Sequence, residues 1–399
     1  MEPWPEHSHN VRLVGHSDLN GWGDAFQIQV RDGLCYVAGS GEAGHDGLTI
    51  LDVSDPREPK VVNQIADGPE ARTHKVLLID DERVLITNSE LRGDEPTDEI
   101  RGGLRIFDIS NPTDPKFVRY VDTESKGIHR PIFDSRRNLL YSSGFRDGFE
   151  GKVLLVHDMK DPWNPELIGV GWVPGQHVAD GEQPSWDVGK IGMGCWLHEA
   201  NPWGDYLTCG FWNGGIALFD LTSPTNPEFL WRHNPHQSHG WPGAYHTFLV
   251  PEGSSFGIAA TETISNDCAH PPAFVTFYDV RNRDVPLPVS TFMPHDIDPE
   301  TMRPVDPVWC STGTRYGAHN LWLDMAAADL LYVVWFAAGL RIVDWSNPFQ
   351  PVEVGHYLPA GTPECPCPQS NDVYYDRQSG LIYISDRAGL GLHIVEYTG

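Results

Sequence analysis

The sequence lacks the marks of several protein classes. No apolar run approaches the roughly 18 residues that span a bilayer, and the opening MEPWPEHSHN has neither the basic nor the apolar region of a secretory signal. Positive charge is scarce, since 28 Lys and Arg stand against 55 Asp and Glu and give a formal net charge of -27. Because such a chain repels phosphate backbones and anionic lipids, we expect neither nucleic-acid nor membrane partners.

Regular cysteine spacing is absent as well. The seven cysteines are an odd number, and no pair has the CxxC spacing of a zinc or redox motif. Cys35 and Cys209 fall within strand-like apolar runs, where a buried thiol behaves as a small hydrophobe. We interpret Cys365 and Cys367, in ECPCP, as structural. The simplest expectation is a reducing, cytoplasmic location.

Motifs of two large enzyme groups are also missing. The chain has no nucleophile elbow and no P-loop, and the string GSGEAG from Gly39 lacks the strand-to-helix context of a dinucleotide fingerprint. Serine hydrolase and nucleotide-dependent activities are therefore excluded. No stretch has a sustained helical period, so the sequence indicates an all-β protein.

An apolar segment that ends in a turn signal recurs seven times. Alternation of Ile, Val and Phe with polar residues is typical of strands, and the Asp or Asn followed by Pro stops a strand and begins a turn. The copies are GLTILDVSDP from Gly47, GLRIFDISNP from Gly103, KVLLVHDMKDP from Lys152, GIALFDLTSP from Gly215, AFVTFYDVRN from Ala273, GLRIVDWSNP from Gly339 and GLHIVEYTG from Gly391.

Each copy belongs to a larger repeat of four strands. A second strand-like run precedes every copy, such as VLITNSE or LLYVVWF, and a fourth run follows most of them, such as PKFVRYV. Four-stranded units with a period of about 50 residues indicate propeller blades. The sequence therefore predicts an all-β, seven-bladed β-propeller in which residues 1–399 form a single domain.

The ends of the chain predict how the propeller closes. The last repeat stops at Gly399 without a fourth strand, whereas NVRLVGHSD from Asn10 matches PVEVGHYLP from Pro351, the fourth strand of the preceding repeat. We therefore expect residues 10–18 to form the outer strand of the last blade. Pairing the two ends removes the exposed edges that an open array would leave.

A polar residue opens the first strand of each repeat, and we call these seven residues the start positions. They are separated by 48 residues between His198 and His246 and by up to 73 between His246 and His319. In a propeller the first strands line the central channel, so the start positions should form a ring, and five imidazoles there predict a metal site. The start positions are Asp24, His74, His129, His198, His246, His319 and Asn371.

Carboxylates accompany two of these histidines. Glu90 follows His74 by 16 residues, and Glu262 follows His246 by the same interval. Both end the second strand of their repeat, so we expect them beside the ring, where they either hold the tautomer of a ligating histidine or bind metal themselves. Glu199 is a weaker candidate, because it should point to the opposite side of its strand from His198.

Aromatic and basic residues suggest a substrate pocket at the same place. Three long loops, roughly 174–197, 233–245 and 294–318, enter the face on which the start positions lie, and long loops on one face usually carry function. Arg130 is a candidate catalytic residue that clamps a substrate carboxylate. The other candidate pocket residues, besides Asp24 and Asn371, are Phe145, Trp212, Phe336, Arg72 and Arg387.

The motifs GLRIVDWSNP and GLRIFDISNP resemble the LVIVD repeats of bacterial β-propeller proteins, and the resemblance covers nearly the whole chain. It implies a propeller fold but no particular activity. The ring of histidines is more distantly similar to that of carotenoid cleavage oxygenases and selenium-binding proteins, which hold an axial metal with histidines from several blades.

These observations lead to a functional prediction with two alternatives. We predict a His-ligated divalent metal, Fe(II) in preference to Mn(II) or Zn(II), and non-haem iron-type oxygenase chemistry on an apolar or aromatic small molecule. A redox-neutral metal-dependent lyase or hydrolase is the first alternative. The second is a non-catalytic binding or scaffold propeller, in which the histidines only hydrogen-bond the loops of neighbouring blades.

Overall fold

The apolar segments of the repeats form β-strands, and the turn signals lie between them. The structure is a computed structural model that describes residues 1–40, 46–66, 70–79, 83–93, 100–186, 194–234, 244–270, 273–323 and 329–399. Within these ranges the only helices are three short 3-10 turns, Leu19–Gly21, Val178–Asp180 and Pro307–Cys310. No helix in the described part of the chain is long and apolar enough to cross a bilayer.

The strands follow the predicted repeats. Two strands come first, β1 (His7–His9) and β2 (Val11–Ser17). The first repeat contains β3 (Ile28–Arg31), β4 (Leu34–Ser40), β5 (Asp46–Asp52) and β6 (Lys60–Ala66). The second contains β7 (Ala71–Arg72), β8 (Val76–Leu78), β9 (Val84–Leu91), β10 (Gly103–Asp108) and β11 (Lys116–Asp122). The third contains β12 (Ile128–Asp134), β13 (Leu139–Phe145), β14 (Lys152–Asp158) and β15 (Glu166–Gly171).

The remaining repeats have the same plan. The fourth contains β16 (Glu199–Trp203), β17 (Tyr206–Gly210), β18 (Ile216–Asp220) and β19 (Glu228–His233). The fifth contains β20 (Ala244–Leu249), β21 (Phe256–Glu262), β22 (Val275–Asp279) and β23 (Leu287–Phe292). A small hairpin, β24 (Ile297–Asp298) and β25 (Arg303–Pro304), follows. The sixth contains β26 (Leu321–Leu323), β27 (Leu330–Val334), β28 (Leu340–Asp344) and β29 (Val352–Leu358). The seventh contains β30 (Ser370–Asp376), β31 (Leu381–Asp386) and β32 (Gly391–Tyr397).

This arrangement confirms the prediction of an all-β, seven-bladed β-propeller. In a typical repeat the middle strands are buried on both faces and the last strand is exposed, as β10 and β11 show. The recurrent aspartate at the end of the third strand has a structural role, because its carboxylate accepts a hydrogen bond from the backbone N–H two residues later and so starts the turn. This bond occurs at Asp52, Asp108, Asp158, Asp220, Asp279 and Asp344.

The strands are distributed over two compact units. Unit 1 comprises Met1–Ala66 and Gly253–Gly399, and unit 2 comprises Asp67–Glu252. Unit 2 has one apolar core between the second and third repeats, with Ile86, Ile106 and Leu155 fully buried, and another between the third and fourth repeats. Unit 1 has cores that join the sixth repeat to the seventh and the seventh to the first. That residues 1–399 form one domain stays a prediction.

The predicted closing strand lies within unit 1. β2 pairs antiparallel with β32, with Val11 opposite Tyr397 and Ser17 opposite Leu392, so residues 10–18 do complete the last blade. The sequence did not predict β1, which adds a fifth strand to the sixth repeat by pairing with β29.

The cysteines are partly as expected. Cys35 and Cys209 are fully buried in their strands, and Cys365 and Cys367 are buried free thiols. Cys268 and Cys310, in contrast, form a disulfide that the sequence analysis did not predict. It joins the loop after β21 to the 3-10 turn Pro307–Cys310.

Deleting residues 10–18 should destabilise the protein. The deletion removes the strand that covers β32 and exposes an unpaired edge, so we expect the melting temperature to fall by about 10 °C or more. Thermal unfolding followed by circular dichroism measures this. Deletion of residues 1–3, which are exposed, is the matched control, and a melting temperature unchanged by both deletions would contradict the closing role of β2.

Candidate metal centre

The start positions lie at or just before the first strand of each repeat, as predicted. Four of them, His74, His129, His198 and His246, belong to unit 2, and all four are buried. At His129 the register between β12 and β13 shifts, so this residue is the extra residue of a β-bulge. A bulge redirects the side chain out of the regular pleat, which is how His129 comes to face its neighbours.

The four imidazoles of unit 2 follow one another closely in space. The ring centroids lie 4.6 Å apart for His74 and His129, 4.7 Å for His129 and His198, and 3.7 Å for His198 and His246. The Nε2 atoms of His129 and His198 are 3.0 Å apart. The structure therefore brings these four histidines together within unit 2.

The partners of the Nδ1 atoms determine which nitrogen carries the proton. The Nδ1 of His129 lies 2.7 Å from Oε2 of Glu90, and the Nδ1 of His198 lies 3.0 Å from the backbone oxygen of His246. A carbonyl and an ionised carboxylate only accept hydrogen bonds, so both histidines donate through Nδ1–H. In the neutral imidazole the other nitrogen, Nε2, then carries a lone pair.

His246 has the same tautomer for a related reason. Its Nδ1 lies 2.8 Å from Oγ1 of Thr247, and that hydroxyl donates its single proton to Oε2 of Glu199 at 2.9 Å. The hydroxyl oxygen must therefore accept from His246 Nδ1–H. Three neighbouring histidines thus keep Nε2 as an acceptor.

Burial and neighbouring basic groups keep the imidazoles of His129 and His198 neutral. Burial, and after it Lys152, lower the pKa of His129 to about 3, against the opposing effect of Glu90. Burial, followed by His246 and His129, holds the pKa of His198 well below its usual range. A neutral imidazole is the form that binds a metal.

The facing nitrogens of His129 and His198 fit a shared metal ion. Both Nε2 atoms have lone pairs, so at 3.0 Å they repel each other unless a cation lies between them. Metal–nitrogen bonds of about 2.0–2.1 Å place two adjacent ligand atoms about 3.0–3.4 Å apart. The observed separation already has that size.

Two groups in unit 2 could hold such an ion. One consists of His74, Glu90 and His129, and the other of His198, Glu199 and His246. In each group all residues are buried, and one ligand atom from each lies within 4.8 Å of the others. Glu199, which we expected on the opposite side of its strand from His198, accepts a hydrogen bond from Thr247 and belongs to the group around His246.

Glu90 belongs to the second repeat, but its hydrogen bond is to His129 of the third repeat. It is the penultimate residue of β9 and forms a β-bridge with Gly127, two residues before His129. This bridge between repeats carries the carboxylate to His129, whereas the spacing in the sequence pairs it with His74. Burial alone raises the pKa of Glu90, but Lys152, then His129 and Arg72, hold it well below its usual range.

Basic side chains surround the histidines. The Nζ of Lys152 lies 2.9 Å from Oε1 of Glu90, and the Nε of Arg130 lies 3.1 Å from Oε2 of Glu199. Arg72 is 3.9 Å from Glu90, and Lys75 is almost fully buried beside His74. The candidate residues Arg72 and Arg130 therefore lie at the centre, each beside a carboxylate.

Two predicted pocket aromatics also lie in unit 2. The indole of Trp212 packs edge to face against the imidazole of His198, with ring centroids 5.5 Å apart. Its φ of 40° is rare for an aromatic residue, and a bridge to Tyr245 holds it there. Phe145 packs on Trp196 and lies 5.3 Å from the Nζ of Lys152. Part of the loops predicted at 174–197 and 233–245 lies outside the described residues.

The remaining candidates lie in unit 1. Nδ1 of His319 lies 2.6 Å from the backbone oxygen of Asn371, and its Nε2 lies 3.6 Å from Glu262, which also pairs with Arg315 at 2.9 Å. The ring of Phe336, at a φ of 35°, stacks on His319 at 4.6 Å.

Three further candidates belong to unit 1. Asp24 accepts a hydrogen bond from the backbone N–H of Ser40. Asn371 is the extra residue of a β-bulge in β30 and is fully buried. The guanidinium of Arg387 lies over the ring of Phe26 at 4.8 Å. A role of these residues in a substrate pocket stays a prediction.

Comparison with known proteins identifies the repeat. A family model described as the LVIVD repeat matches residues 22–67, 100–123 and 327–358, which include the apolar segments of the first, second and sixth repeats. These three segments of the β-propeller therefore carry LVIVD repeats. Comparison with curated proteins gives no match.

Solved structures are similar to this chain in fold. The crystal structure of Chaetomium thermophilum Raptor matches 94% of this chain with a TM-score of 0.55 and 13% identity, and this chain spans 28% of the Raptor chain. The computationally designed Ika8 protein matches 96% of this chain over 98% of its own length, with a TM-score of 0.54 and 8% identity. At such identities the likeness shows the fold alone.

Sequence reasoning missed Lys75, Lys152 and Thr247. A signal was present for Lys152, because the third LVIVD-like copy begins with a lysine where most others begin with glycine. Lys75 and Thr247 each directly follow a start-position histidine. Nothing in the sequence shows that the Thr247 hydroxyl links His246 to Glu199.

Buried histidines outside the centre predict a loss of stability in acid. Burial lowers the pKa of His157 to about 4, whereas an imidazole in the unfolded chain titrates near about 6.5. Below that pH the unfolded state gains a proton that the folded state does not, so folding loses about 1.4 kcal/mol per pH unit from this residue until about pH 4. Between pH 8 and pH 5 the free energy of unfolding should therefore fall by about 2 kcal/mol less in His157→Leu than in the parent.

Urea unfolding of both proteins at the two pH values measures the difference. The comparison at pH 8 is the internal control, because there the imidazole is neutral in the folded and unfolded states alike. An equal loss of stability in parent and variant would show that His157 is not the group that titrates.

Proposed function

We propose that His129, His198 and His246 bind a divalent transition metal and that the protein is a metal-dependent enzyme. The observation that carries the proposal is the 3.0 Å separation of two Nε2 lone pairs, those of His129 and His198. Hydrogen bonding to neighbouring loops accounts for the Nδ1 atoms of these residues. It does not account for two acceptor nitrogens that face each other.

The donor set favours a catalytic rather than a structural metal. Three protein ligands leave coordination positions open, whereas structural sites usually supply four. Neutral imidazoles without thiolates suit Fe(II), Mn(II) or Zn(II), and we propose Fe(II). When bound, Fe(II) would supply one-electron chemistry toward O₂, which supports an oxygenase that cleaves an unsaturated or aromatic small molecule. The similarity of this arrangement to carotenoid cleavage oxygenases and selenium-binding proteins is part of the proposal.

The protein residues have distinct roles in this proposal. Glu90 fixes the tautomer and orientation of His129, and Glu199 does the same for His246 through the Thr247 hydroxyl. Lys152 and Arg130 place positive charge where negative charge would develop on a substrate. Trp212 covers His198 with an apolar ring that excludes water.

The substrate class follows from the same surroundings. An aromatic or apolar body fits beside Trp212, and a carboxylate on the substrate would be matched by the guanidinium of Arg130. A cytoplasmic location and the lack of nucleic-acid and membrane partners are proposed with it.

Removing one histidine should abolish metal binding. We expect tag-free protein loaded anaerobically with Fe(II) to hold about one ion per chain and His198→Ala to hold none, because two imidazoles cannot keep the ion. Glu90→Gln should keep the ion with an affinity about 10–100-fold lower, since a neutral amide accepts the proton of His129 more weakly than a carboxylate does. Elemental analysis after desalting and competition with a chromogenic chelator measure both.

The matched control is His157→Leu, which replaces a buried histidine outside the centre. It should bind Fe(II) as the parent does. Full metal content in His198→Ala, with circular dichroism showing a folded protein, would remove these histidines from the metal site.

Oxygen dependence should separate the leading reaction from its alternative. A hydroxylated cinnamate unites an aromatic ring, a C=C bond and a carboxylate, and oxidative cleavage would consume one O₂ per alkene and give two carbonyl products. We expect Fe(II)-loaded protein to form these products only with O₂, and Arg130→Gln to raise KM more than it lowers kcat. Mass spectrometry and an oxygen electrode follow the reaction. Turnover without O₂ would favour the lyase or hydrolase.

A further inference from the structure

We propose that His7, His9 and His356 form a second divalent-metal site, on the surface of unit 1. The site would take a borderline metal such as Zn²⁺ or Cu²⁺, which imidazole nitrogens bind well. It joins the additional strand β1 to β29, the last strand of the sixth repeat. This second site is independent of the proposed enzymatic function.

Strand register brings the three imidazoles to one face. His9 stands directly opposite His356 in the antiparallel pair of β1 and β29. Side chains two residues apart on a strand share a face, so His7 lies on that face as well. Directly opposed residues have Cβ atoms about 4.5–5.5 Å apart, which is within reach of a shared ligand for side chains as long as histidine.

The imidazole of His356 lies near both of the others. The rings of His7 and His356 stack at 4.9 Å, and that of His9 lies 5.9 Å from His356. Nδ1 of His7 is 2.8 Å from Nε2 of His356. Two nitrogens bound to one metal lie about 3 Å apart, so a small displacement admits the ion between them. His9 has an exposed side chain that can rotate to complete the set.

A carboxylate prepares His356 for this role. Oε1 of Glu353 lies 2.7 Å from Nδ1 of His356 and accepts its proton, so Nε2 of His356 presents a lone pair toward His7. Metal-ligating histidines are commonly held by a carboxylate in this way. Arg341 lies 3.4 Å from the same carboxylate. That ion pair offsets the guanidinium charge, which would otherwise repel the metal.

The composition of β1 supports a ligand role. The strand consists of His7, Ser8 and His9, and all three are exposed. It therefore buries no apolar side chain, and the hydrophobic effect does not explain why a fifth strand is added to the sixth repeat. Its distinctive contribution to the surface is a pair of imidazoles opposite a third. A bound metal would fasten β1 to β29.

The test uses the full-length, tag-free chain after treatment with a chelator, and it uses Zn²⁺ as the probe. The His198→Ala background removes the proposed metal centre of unit 2, so that any remaining binding reports the second site. We expect isothermal titration calorimetry to show one Zn²⁺ per chain in that background. Adding His356→Asn or His9→Asn should weaken this binding at least about tenfold, and Glu353→Gln should weaken it about tenfold.

A second readout reports the fastening of β1. Zn²⁺ should slow amide hydrogen exchange across residues 6–9 in the His198→Ala protein and leave it unchanged once His356→Asn is added. The matched control is His16→Asn, which alters a histidine on the neighbouring strand β2 whose ring nitrogen bonds to Leu390 and should retain the Zn²⁺ affinity. Because His9 is exposed on an edge strand, His9→Asn should fold even if His356→Asn does not. Unchanged Zn²⁺ affinity in His9→Asn and His356→Asn would overturn the proposal. The proposal would also be overturned if Zn²⁺ binding were lost only when residues of unit 2 are replaced.

Discussion

The hydrogen bond from each buried Nδ1–H to a fixed acceptor is the interaction on which the candidate centre depends. The carboxylate of Glu90 accepts from His129, the backbone oxygen of His246 accepts from His198, and the Thr247 hydroxyl accepts from His246. Since none of these acceptors can donate in return, the proton stays on Nδ1 and the lone pair stays on Nε2. Burial lowers the pKa of His129 and His198 and so disfavours a second protonation, because a charged imidazole in this environment would lose its hydration. Tautomer and charge are thus set by the protein before any ion binds.

The repeat provides this arrangement through contacts between successive blades. Glu90 lies near the end of β9 and Trp212 two residues after β17, and each forms a β-bridge to a residue one or two positions before the next start position, Gly127 and Tyr245 respectively. A side chain from one repeat therefore lies against the histidine region of the next. The same bridge holds Trp212 at a positive φ, a cost of about 1–3 kcal/mol that only a well-determined surrounding structure can sustain. Because this backbone contact occurs in more than one repeat, residues that are far apart in the sequence lie together around the histidines.

Sequence patterns predicted the fold well because the same pattern of apolar segment and turn signal recurs seven times. The apolar segments, the aspartate turns and the closing match between NVRLVGHSD and PVEVGHYLP all depend on local chemistry and became the predicted strands. Pairings between distant residues were less accessible. Strand alternation could not show that Glu199 joins the group around His246, since its hydrogen bond with Thr247 is a tertiary contact. The Cys268–Cys310 disulfide spans 42 residues without any spacing motif. The bulge at His129 breaks the period of two that the prediction relied on.

The contacts of the two carboxylates support the proposal that they would orient the histidines rather than bind a metal themselves. Oε1 of Glu90 is 2.9 Å from the ammonium of Lys152 while Oε2 receives the proton of His129, so both oxygens are engaged. Oε2 of Glu199 accepts from Thr247 and lies 3.1 Å from the guanidinium of Arg130. A direct carboxylate ligand would have to give up one of these charge-assisted bonds, each stronger than a neutral hydrogen bond, inside a buried site where the released cation would then be uncompensated. Ligation by imidazole nitrogen alone leaves every one of these pairs intact. The buried lysine and arginine therefore favour a metal bound only by histidines. The carboxylates would then interact with the histidines and not with the metal.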